Sequence, residues 1–455
     1  MLFAFAVLAT AADWVPARWN SADPKLLELV AQTPVNCLLV ERQNWSAGFS
    51  QEAARARVAT LGVVRPGDDL KELPERAKAA GLAGIVFEGA FEEAALGLAR
   101  AALKDSRLAA VELGPRTRIR WDGDDPVIGT HQGVWPGINA TDDDGKAKAA
   151  PSGAPWIDTN TGFLRFARSL AKGEVWIGNV PPKGSVIPVA RYLQAIGDAA
   201  IVGARWVVAL DADFEKRLLE REEAAIKDWK RIGDHLRFFE EHKEWRTFEP
   251  FAQLAIVQDV DSGGLISGGI LDMITVKHTP VRPVPGRKLD DGKMAGSKMA
   301  VNVDPAALPD SQKEVLRRFT RGGGTLLTAP PGWRFPPQRA NQITLDKEDI
   351  EKLDTIWKEV NSMTGRRNLG ARLFNVASML SNLSGPAAGK PLVLQLVNYS
   401  DYPVENITAH VIGNFTKAQL LEPGAPPRKV NVYENEEGTG IEIDKVSSLA
   451  AVVLE

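Results

Sequence analysis

The feature that most constrains this fold is the regular spacing of short apolar runs through the first half of the chain. The runs recur every roughly 20 to 25 residues, and most of them end at a polar residue and a turn signal. They comprise residues 14–19, 36–41, 58–64, 83–88, 108–112, 127–132, 174–179 and 205–211. Helical patterns lie between most of them, over 51–58, 71–80, 91–105, 159–171 and 188–201. Eight strand–helix repeats predict an α/β fold of the closed (β/α)8 TIM barrel type. In such barrels the active site lies at the carboxyl ends of the strands.

The length of the chain requires further domains beyond this barrel. With 455 residues it is too long for one hydrophobic core. We therefore divide it into residues 1–12, the barrel 13–245, a middle unit 246–364 and a terminal unit 365–455. The net charge of −3 gives no electrostatic reason to expect a nucleic-acid partner. The single cysteine, Cys37, excludes an internal disulfide and is expected to be a small buried hydrophobe.

The two units after the barrel have different patterns. In the middle unit, apolar strands at 253–259 and 299–304 and an amphipathic helix at 311–321 predict a small Rossmann-like α/β domain. The turn Gly263–Gly269 follows a strand but matches no phosphate-binding motif, so a tight turn is the preferred interpretation. In the terminal unit, alternating runs separated by Gly, Pro and Asn predict a small β-sandwich.

The first twelve residues resemble a signal segment. Leu2 to Leu8 are apolar, and Ala9-Thr10-Ala11 fits a small-residue cleavage site, although a charged start is missing. We therefore expect a secreted or periplasmic protein, with a first strand as the alternative interpretation of this segment. No other stretch approaches the ~20 apolar residues of a membrane span, so we expect no membrane insertion.

The order of the three units resembles the architecture of family 42 β-galactosidases and related glycoside hydrolases. The helix-to-strand turn Arg321–Leu327 belongs to a middle unit that, in those enzymes, resembles a class I glutamine amidotransferase domain without its catalytic cysteine. That family carries an Asn-Glu pair at the end of the fourth strand and a second Glu at the end of the seventh. This chain has Phe87-Glu88 at the first place and Gly178-Asn179 at the second, so it keeps one of the two carboxylates. The resemblance implies a carbohydrate substrate or ligand and a possible homo-oligomer assembled through the middle unit.

Cleavage of a glycosidic bond needs two carboxyl groups, ~5 Å apart for retention of configuration or ~6.5–9.5 Å for inversion. We predict Glu88 and Glu112 as the pair, because each closes an apolar run and is followed within two residues by Gly, and Asp158 as a third candidate. The alternatives are structural. Glu112 has Arg116 and Arg118 near it in sequence, and Asp158 precedes a helix, where capping is the more common role.

The loop 129–158 supplies most of the predicted substrate-binding residues. An imidazole, an amide and indole rings close together suit recognition of sugar hydroxyls and ring faces, although Trp135 packed beneath the loop is the alternative. The full predicted binding set is Trp135, Trp156, His131, Gln132, Asn160, Asn179 and Glu41. Five His and one Cys show no zinc spacing, and we expect neither a metal nor a cofactor.

These observations leave two hypotheses. The first is an exported glycoside hydrolase-like protein that cleaves poly- or oligosaccharides with a carboxylate pair at the barrel mouth. The second is a non-catalytic carbohydrate-binding or scaffold protein on a degenerate barrel, which the missing carboxylate on the seventh strand favours.

Overall fold

The computed structural model describes residues 11–121, 123–136, 138–139, 148–149, 159–260, 270–275, 277–329, 347–365, 367–376, 378–387 and 389–455. The predicted signal segment lies almost entirely outside these residues, as do the Gly263–Gly269 turn, Trp156 and Asp158.

The first half of the chain forms the predicted parallel barrel. Its strands follow one another in the sheet in sequence order. They are β1 (Pro16–Trp19), β2 (Cys37–Val40), β3 (Ala59–Val64), β4 (Gly84–Glu88), β5 (Ala109–Gly114), β6 (Val127–Thr130), β7 (Glu174–Ile177) and β8 (Arg205–Trp206). The sheet closes where Ala17 and Val208 form a parallel bridge and the Arg18 amide donates to the Val208 carbonyl at 2.7 Å. All eight predicted strands are confirmed.

Helices connect most of the barrel strands and cover the outside of the sheet. They are α1 (Leu27–Val30), α2 (Ala47–Arg55), α3 (Leu73–Ala79), α4 (Glu93–Asp105), α5 (Thr161–Leu170), α6 (Val189–Ala200), α7 (Ala212–Leu219) and α8 (Glu223–Glu241). Between β5 and β6 the described residues form only the short 3-10 helix Arg116–Arg118. The five helices predicted between strands are confirmed. Asp211 accepts hydrogen bonds from the amides of Asp213 and Phe214 and so caps α7.

The barrel has two apolar layers, because successive side chains of a strand point to opposite faces of the sheet. One set packs against the helices. The other fills the barrel interior and includes Cys37, Leu61, Val86, Leu113 and Trp176. Cys37 is fully buried there, as predicted, and burial raises the pKa of its thiol.

A second parallel sheet follows the barrel. It has four strands, ordered Arg282–Pro285, Leu254–Gln258, Met299–Asn302 and Thr325–Thr328. The described helices of this region are Ile270–Thr275, Asp291–Met294, Asp310–Arg321 and Lys347–Thr364. The strand Arg282–Pro285 had no counterpart in the sequence prediction. The more specific assignment as a Rossmann-like domain stays a prediction, as do the exact domain boundaries.

The end of the chain forms the predicted antiparallel β-domain, which has its own core. Its nine-stranded sheet has the order Glu249–Pro250, Met379–Gly385, Leu392–Asn398, Leu449–Leu454, Ala418–Leu421, Arg428–Asn435, Gly438–Val446, Val404–Val411 and Ala371–Phe374. The end of the strand Leu392–Asn398, the third strand of this sheet, docks on α6. There the Tyr399 hydroxyl donates to the fully buried Asp198 carboxylate at 2.7 Å, and Gln194 donates to the Asn398 carbonyl at 3.1 Å. No helix in the described part of the chain is both long and apolar enough to cross a bilayer.

Candidate functional site

Four charged side chains meet at the carboxyl end of the first four barrel strands. Arg18 lies in β1, Glu41 and Arg65 directly follow β2 and β3, and Glu88 ends β4. Each continues the inward-facing series of its strand, beyond interior residues such as Leu39 and Val86. We call these four residues the mouth cluster.

Ion pairs join the mouth cluster into one network. Arg18 forms a short hydrogen-bonded ion pair with Glu88 and lies 3.7 Å from Glu41. Arg65 binds Glu41 through both Nη atoms, at 2.5 and 2.7 Å, and its Nη2 lies 2.7 Å from Glu88 Oε2. Positive and negative groups therefore alternate around this part of the mouth, and the network is electrically neutral.

The Glu88 carboxyl group is the most enclosed acid of this network. Its side chain is 9% exposed, against 20% for Glu41. Burial by itself raises the pKa of Glu88, but the charges and hydrogen bonds of Arg18 and Arg65 outweigh it. The pKa therefore lies below its ordinary value, and Glu88 is an ionised carboxylate at neutral pH.

Glu112 does not join this network. It lies within β5 between Val111 and Leu113, which both point into the barrel, so its own side chain points outward. Outside the barrel it pairs with Arg100 of α4 at 3.2 Å and with Arg120 at 3.3 Å. Burial raises the pKa of Glu112 against the opposing charge of Arg100. The structure thus does not bring Glu88 and Glu112 together, and the carboxylate that does lie beside Glu88 is Glu41.

His131 and Asn179 lie at the ends of β6 and β7. His131 Nδ1 is 2.8 Å from the Leu113 carbonyl oxygen, and the ring is close enough to Glu88 to act on its charge. The Asn179 amide donates to the Gly133 carbonyl at 2.9 Å and is partly exposed. These two positions continue the polar rim of the barrel beyond the mouth cluster.

Two other predicted binding residues, Asn160 and Gln132, form internal hydrogen bonds beneath the rim of the barrel. Asn160 is fully buried and exchanges hydrogen bonds with Val134, its Oδ1 accepting at 2.8 Å and its amide donating at 2.7 Å. Gln132 accepts from the Arg116 amide at 2.8 Å, and its carbonyl accepts from Arg116 Nε at 2.9 Å. The polar groups of both side chains thus serve the internal structure.

Trp135 is packed beneath the loop, which was the alternative interpretation of this residue. It is 4% exposed and contacts Tyr192 and Trp206 edge-on, with ring centroids 5.2 and 5.1 Å apart. Its ring presents no open face for stacking on a sugar. Among the described residues, no group of three or more His, Cys, Asp or Glu side chains is arranged to hold a metal ion.

Sequence reasoning missed Arg18 and Arg65, and it considered Arg116 only as a neighbour of Glu112, whose partners are Arg100 and Arg120. Arg18 and Arg65 occupy the same strand-end positions as Glu41 and Glu88, and reading the alternation of each strand to its last residue would have identified them. Arg116 is fully buried and lies over the Phe163 ring at 4.2 Å, a contact that no local sequence signal predicts.

Comparison with known proteins places this architecture among glycoside hydrolase structures. No protein-family model matches the sequence, and no curated protein matches it. Among solved structures, an α-L-fucosidase from Paenibacillus thiaminolyticus is 9% identical over 97% of this chain and 99% of that chain, with a TM-score of 0.63. A catalytic mutant of a GH42 β-galactosidase from G. stearothermophilus is 9% identical over 97% and 98%, with a TM-score of 0.55. A rhamnosidase from Novosphingobium sp. PP1Y is 10% identical over 90% of this chain and 47% of that chain, with a TM-score of 0.52. At such low identity these similarities show a shared fold, and the predicted likeness to family 42 architecture is confirmed at that level.

Proposed function

We propose that this chain is a glycoside hydrolase-like protein that cleaves glycosidic bonds at the mouth of its barrel. The observation that carries the proposal is Glu88, a buried and ionised carboxylate at the carboxyl end of β4. Barrel enzymes place their catalytic groups at this end of the strands. The whole-chain fold shared with a fucosidase and a β-galactosidase supports the choice of a carbohydrate substrate.

The spacing of Glu41 and Glu88 indicates the type of reaction. Glu41 Oε1 and Glu88 Oε2 each lie 2.7 Å from Arg65 Nη2, so these two oxygens are at most twice that distance, 5.4 Å, apart. Retaining glycosidases hold their two carboxyl groups ~5–5.5 Å apart. The upper bound of 5.4 Å between the two oxygens is compatible with this spacing, and we propose Glu88 as the nucleophile and Glu41 as the carboxyl group that exchanges a proton with the leaving oxygen.

This assignment requires Arg65 to move when substrate binds. Its side chain is 44% exposed and follows a strand end, whereas the Arg18 side chain is 7% exposed. Arg65 can therefore withdraw into solvent and uncover both carboxyl groups, while Arg18 stays and orients Glu88. The expected consequence is that the glycosidic oxygen takes the place now held by the Arg65 guanidinium.

A panel of aryl glycosides tests this function. Wild-type protein should release the aryl alcohol from at least one of them, and Glu88→Gln should lower kcat/KM by roughly 10²–10⁴-fold, the range associated with losing a positioned catalytic group. Glu112→Gln is the matched control, because its carboxylate lies outside the barrel, and it should keep wild-type activity. Full activity of Glu88→Gln would remove Glu88 from the mechanism.

A specific observation also favours the second candidate, a carbohydrate-binding protein without turnover. Both carboxylates of the mouth cluster are already paired with guanidinium groups. Such pairing is expected where charged side chains stabilise the fold and bind a ligand without catalysing a reaction. Calorimetric titration with the corresponding free sugars distinguishes the two functions. Binding at the mouth with no hydrolysis of any panel member would favour the second candidate, and turnover would exclude it.

A further inference from the structure

A cavity lies where the barrel, the four-stranded parallel sheet and the antiparallel domain meet. Its volume is about 470 Å³, and its walls come from α5, the segment Trp245–Pro250, the strand Arg282–Pro285 and the strand Met379–Gly385. We call it the junction cavity. None of the mouth cluster lines it, so its properties are independent of the function proposed for the barrel mouth.

The junction cavity is lined mainly by positive charge. Among the described residues that line it, five are basic and a single one, Glu249, is acidic. The basic residues are Arg165, Arg168, Arg246, Arg282 and Lys293. A protein with a net charge of −3 has no general surplus of cations, so this concentration is local.

Two of these arginines donate to neutral backbone carbonyls. Arg168 donates to the carbonyls of Gly173 at 3.1 Å and Arg246 at 3.0 Å, and Arg282 donates to Ala295 at 2.5 Å. Neither forms an ion pair with a carboxylate in the described part of the chain. Such bonds fix each guanidinium in place but do not neutralise its charge. Burial lowers the pKa of both groups and outweighs the opposing charges of Glu174 near Arg168 and Glu249 near Arg282.

Arg246 and Lys293 complete the set of basic residues that line the cavity. Arg246 has a carboxylate partner, Glu240, and its backbone carbonyl orients Arg168. Lys293 is exposed at the edge of the junction cavity, where its ammonium group adds positive charge. Phe248 and Pro250 provide an apolar stretch of wall between the charges.

We propose that the junction cavity binds a tetrahedral oxyanion, phosphate or sulfate, either free or carried on a sugar. Guanidinium groups in fixed positions recognise such groups through several parallel N–H···O bonds, and a tetrahedral oxyanion has enough oxygen atoms to serve more than one arginine. The bound anion would compensate the cations that the barrel and the middle unit contribute. It would therefore also stabilise the junction between them.

Calorimetry with sodium sulfate and sodium phosphate, at ionic strength matched with sodium chloride, tests the proposal directly. Wild-type protein should bind at least one of the two, and its melting temperature should rise with the concentration of that anion. Arg282→Gln should weaken binding about tenfold, the effect of losing one charge-assisted contact. Arg317→Gln, on an exposed helix face away from the cavity, should bind as the wild type does.

A second variant protects the test against misfolding of the first. Lys293→Gln alters an exposed side chain and should weaken binding by about threefold, a smaller effect because its ammonium ion is better hydrated. Absence of binding to wild-type protein would overturn the proposal, as would unchanged affinity in both cavity variants. A sulfated monosaccharide that binds more tightly than inorganic sulfate would identify a sugar as the carrier, and equal affinity would identify the free anion. The variant Glu88→Gln should bind sulfate normally, so this proposal and the glycosidase proposal can fail separately.

Discussion

The clearest energetic consequence of the mouth cluster concerns the replacement Glu88→Gln. The amide keeps the size of the side chain but removes the negative charge that faces Arg18, whose side chain is 7% exposed. Removing one partner of a buried ion pair costs about 3–5 kcal/mol, because the other charge stays buried without compensation. Arg18 keeps Glu41 at 3.7 Å, and Arg65 is exposed enough to be rehydrated. We therefore expect the free energy of unfolding to fall by about 3 kcal/mol, at the lower end of that range.

The same substitution at Glu112 is the matched control. Its carboxylate is 23% exposed, and its partners Arg100 and Arg120 lie toward the surface, with 19% and 48% of their side chains exposed. Solvent screens such pairs, so Glu112→Gln should cost no more than about 1 kcal/mol. Urea unfolding followed by tryptophan fluorescence measures both losses in the same protein. Equal losses in the two variants, or a loss below about 1 kcal/mol for Glu88→Gln, would refute the argument from burial.

The pH dependence of this loss supplies a second check. The pKa of Glu88 is lower in the folded than in the unfolded protein, so its contribution to stability is fully present above the unfolded value of about 4.3. That contribution is lost as the pH falls through the folded pKa and the carboxylate takes up a proton. The difference between wild type and Glu88→Gln should therefore be constant near neutral pH and shrink in acid. A difference that grew on acidification would contradict the assigned sign.

Three further results are expected. Tyr399→Phe removes the hydroxyl that donates to the buried Asp198 carboxylate at 2.7 Å. Urea unfolding should therefore show that the free energy of unfolding falls by about 1–3 kcal/mol. An unchanged free energy of unfolding would contradict the role of this contact in docking the antiparallel domain. Gly84→Ala places a Cβ 2.4 Å from a carbonyl oxygen of β5 and should destabilise the barrel by about 1–3 kcal/mol. In the control Gly97→Ala, the new Cβ in α4 meets no atom within 4 Å, so this variant should be as stable as the wild type or more stable. Because burial raises the pKa of Cys37, a thiol reagent should label it only on unfolding, and rapid labelling of the native protein would contradict the closed interior.

The barrel could be predicted from the sequence because its strands are buried on both faces. Such strands appear as continuous apolar runs, and β3, with all of its residues buried, is a clear example. The antiparallel domain was harder to predict strand by strand. Met379–Gly385 and Gly438–Val446 contain Ser, Asn, Gly or charged residues within the strand, so their apolar pattern is interrupted.

The pairing of Glu88 with Glu112 was not realised because the side chains of a strand alternate between two faces. The apolar run predicts a strand that ends at residue 112, whereas β5 continues to Gly114. Adjacent residues of a strand face opposite sides of the sheet, so Glu112 points outward next to the inward-facing Leu113. The guanidinium groups of Arg18 and Arg65 then decide the ionisation of Glu88, and this depends on contacts between strands distant in sequence.

The most direct measurement of the central claim is covalent trapping at the barrel mouth. A 2-deoxy-2-fluoro derivative of the best aryl glycoside slows the second step of a double displacement, so the glycosyl-enzyme intermediate accumulates and its attachment point can be mapped by peptide mass spectrometry. We predict one sugar per chain, attached to Glu88, and no labelling of Glu88→Gln. Attachment to another residue, or a wild-type protein that turns over no glycoside at all, would contradict the assignment of Glu88 as the nucleophile.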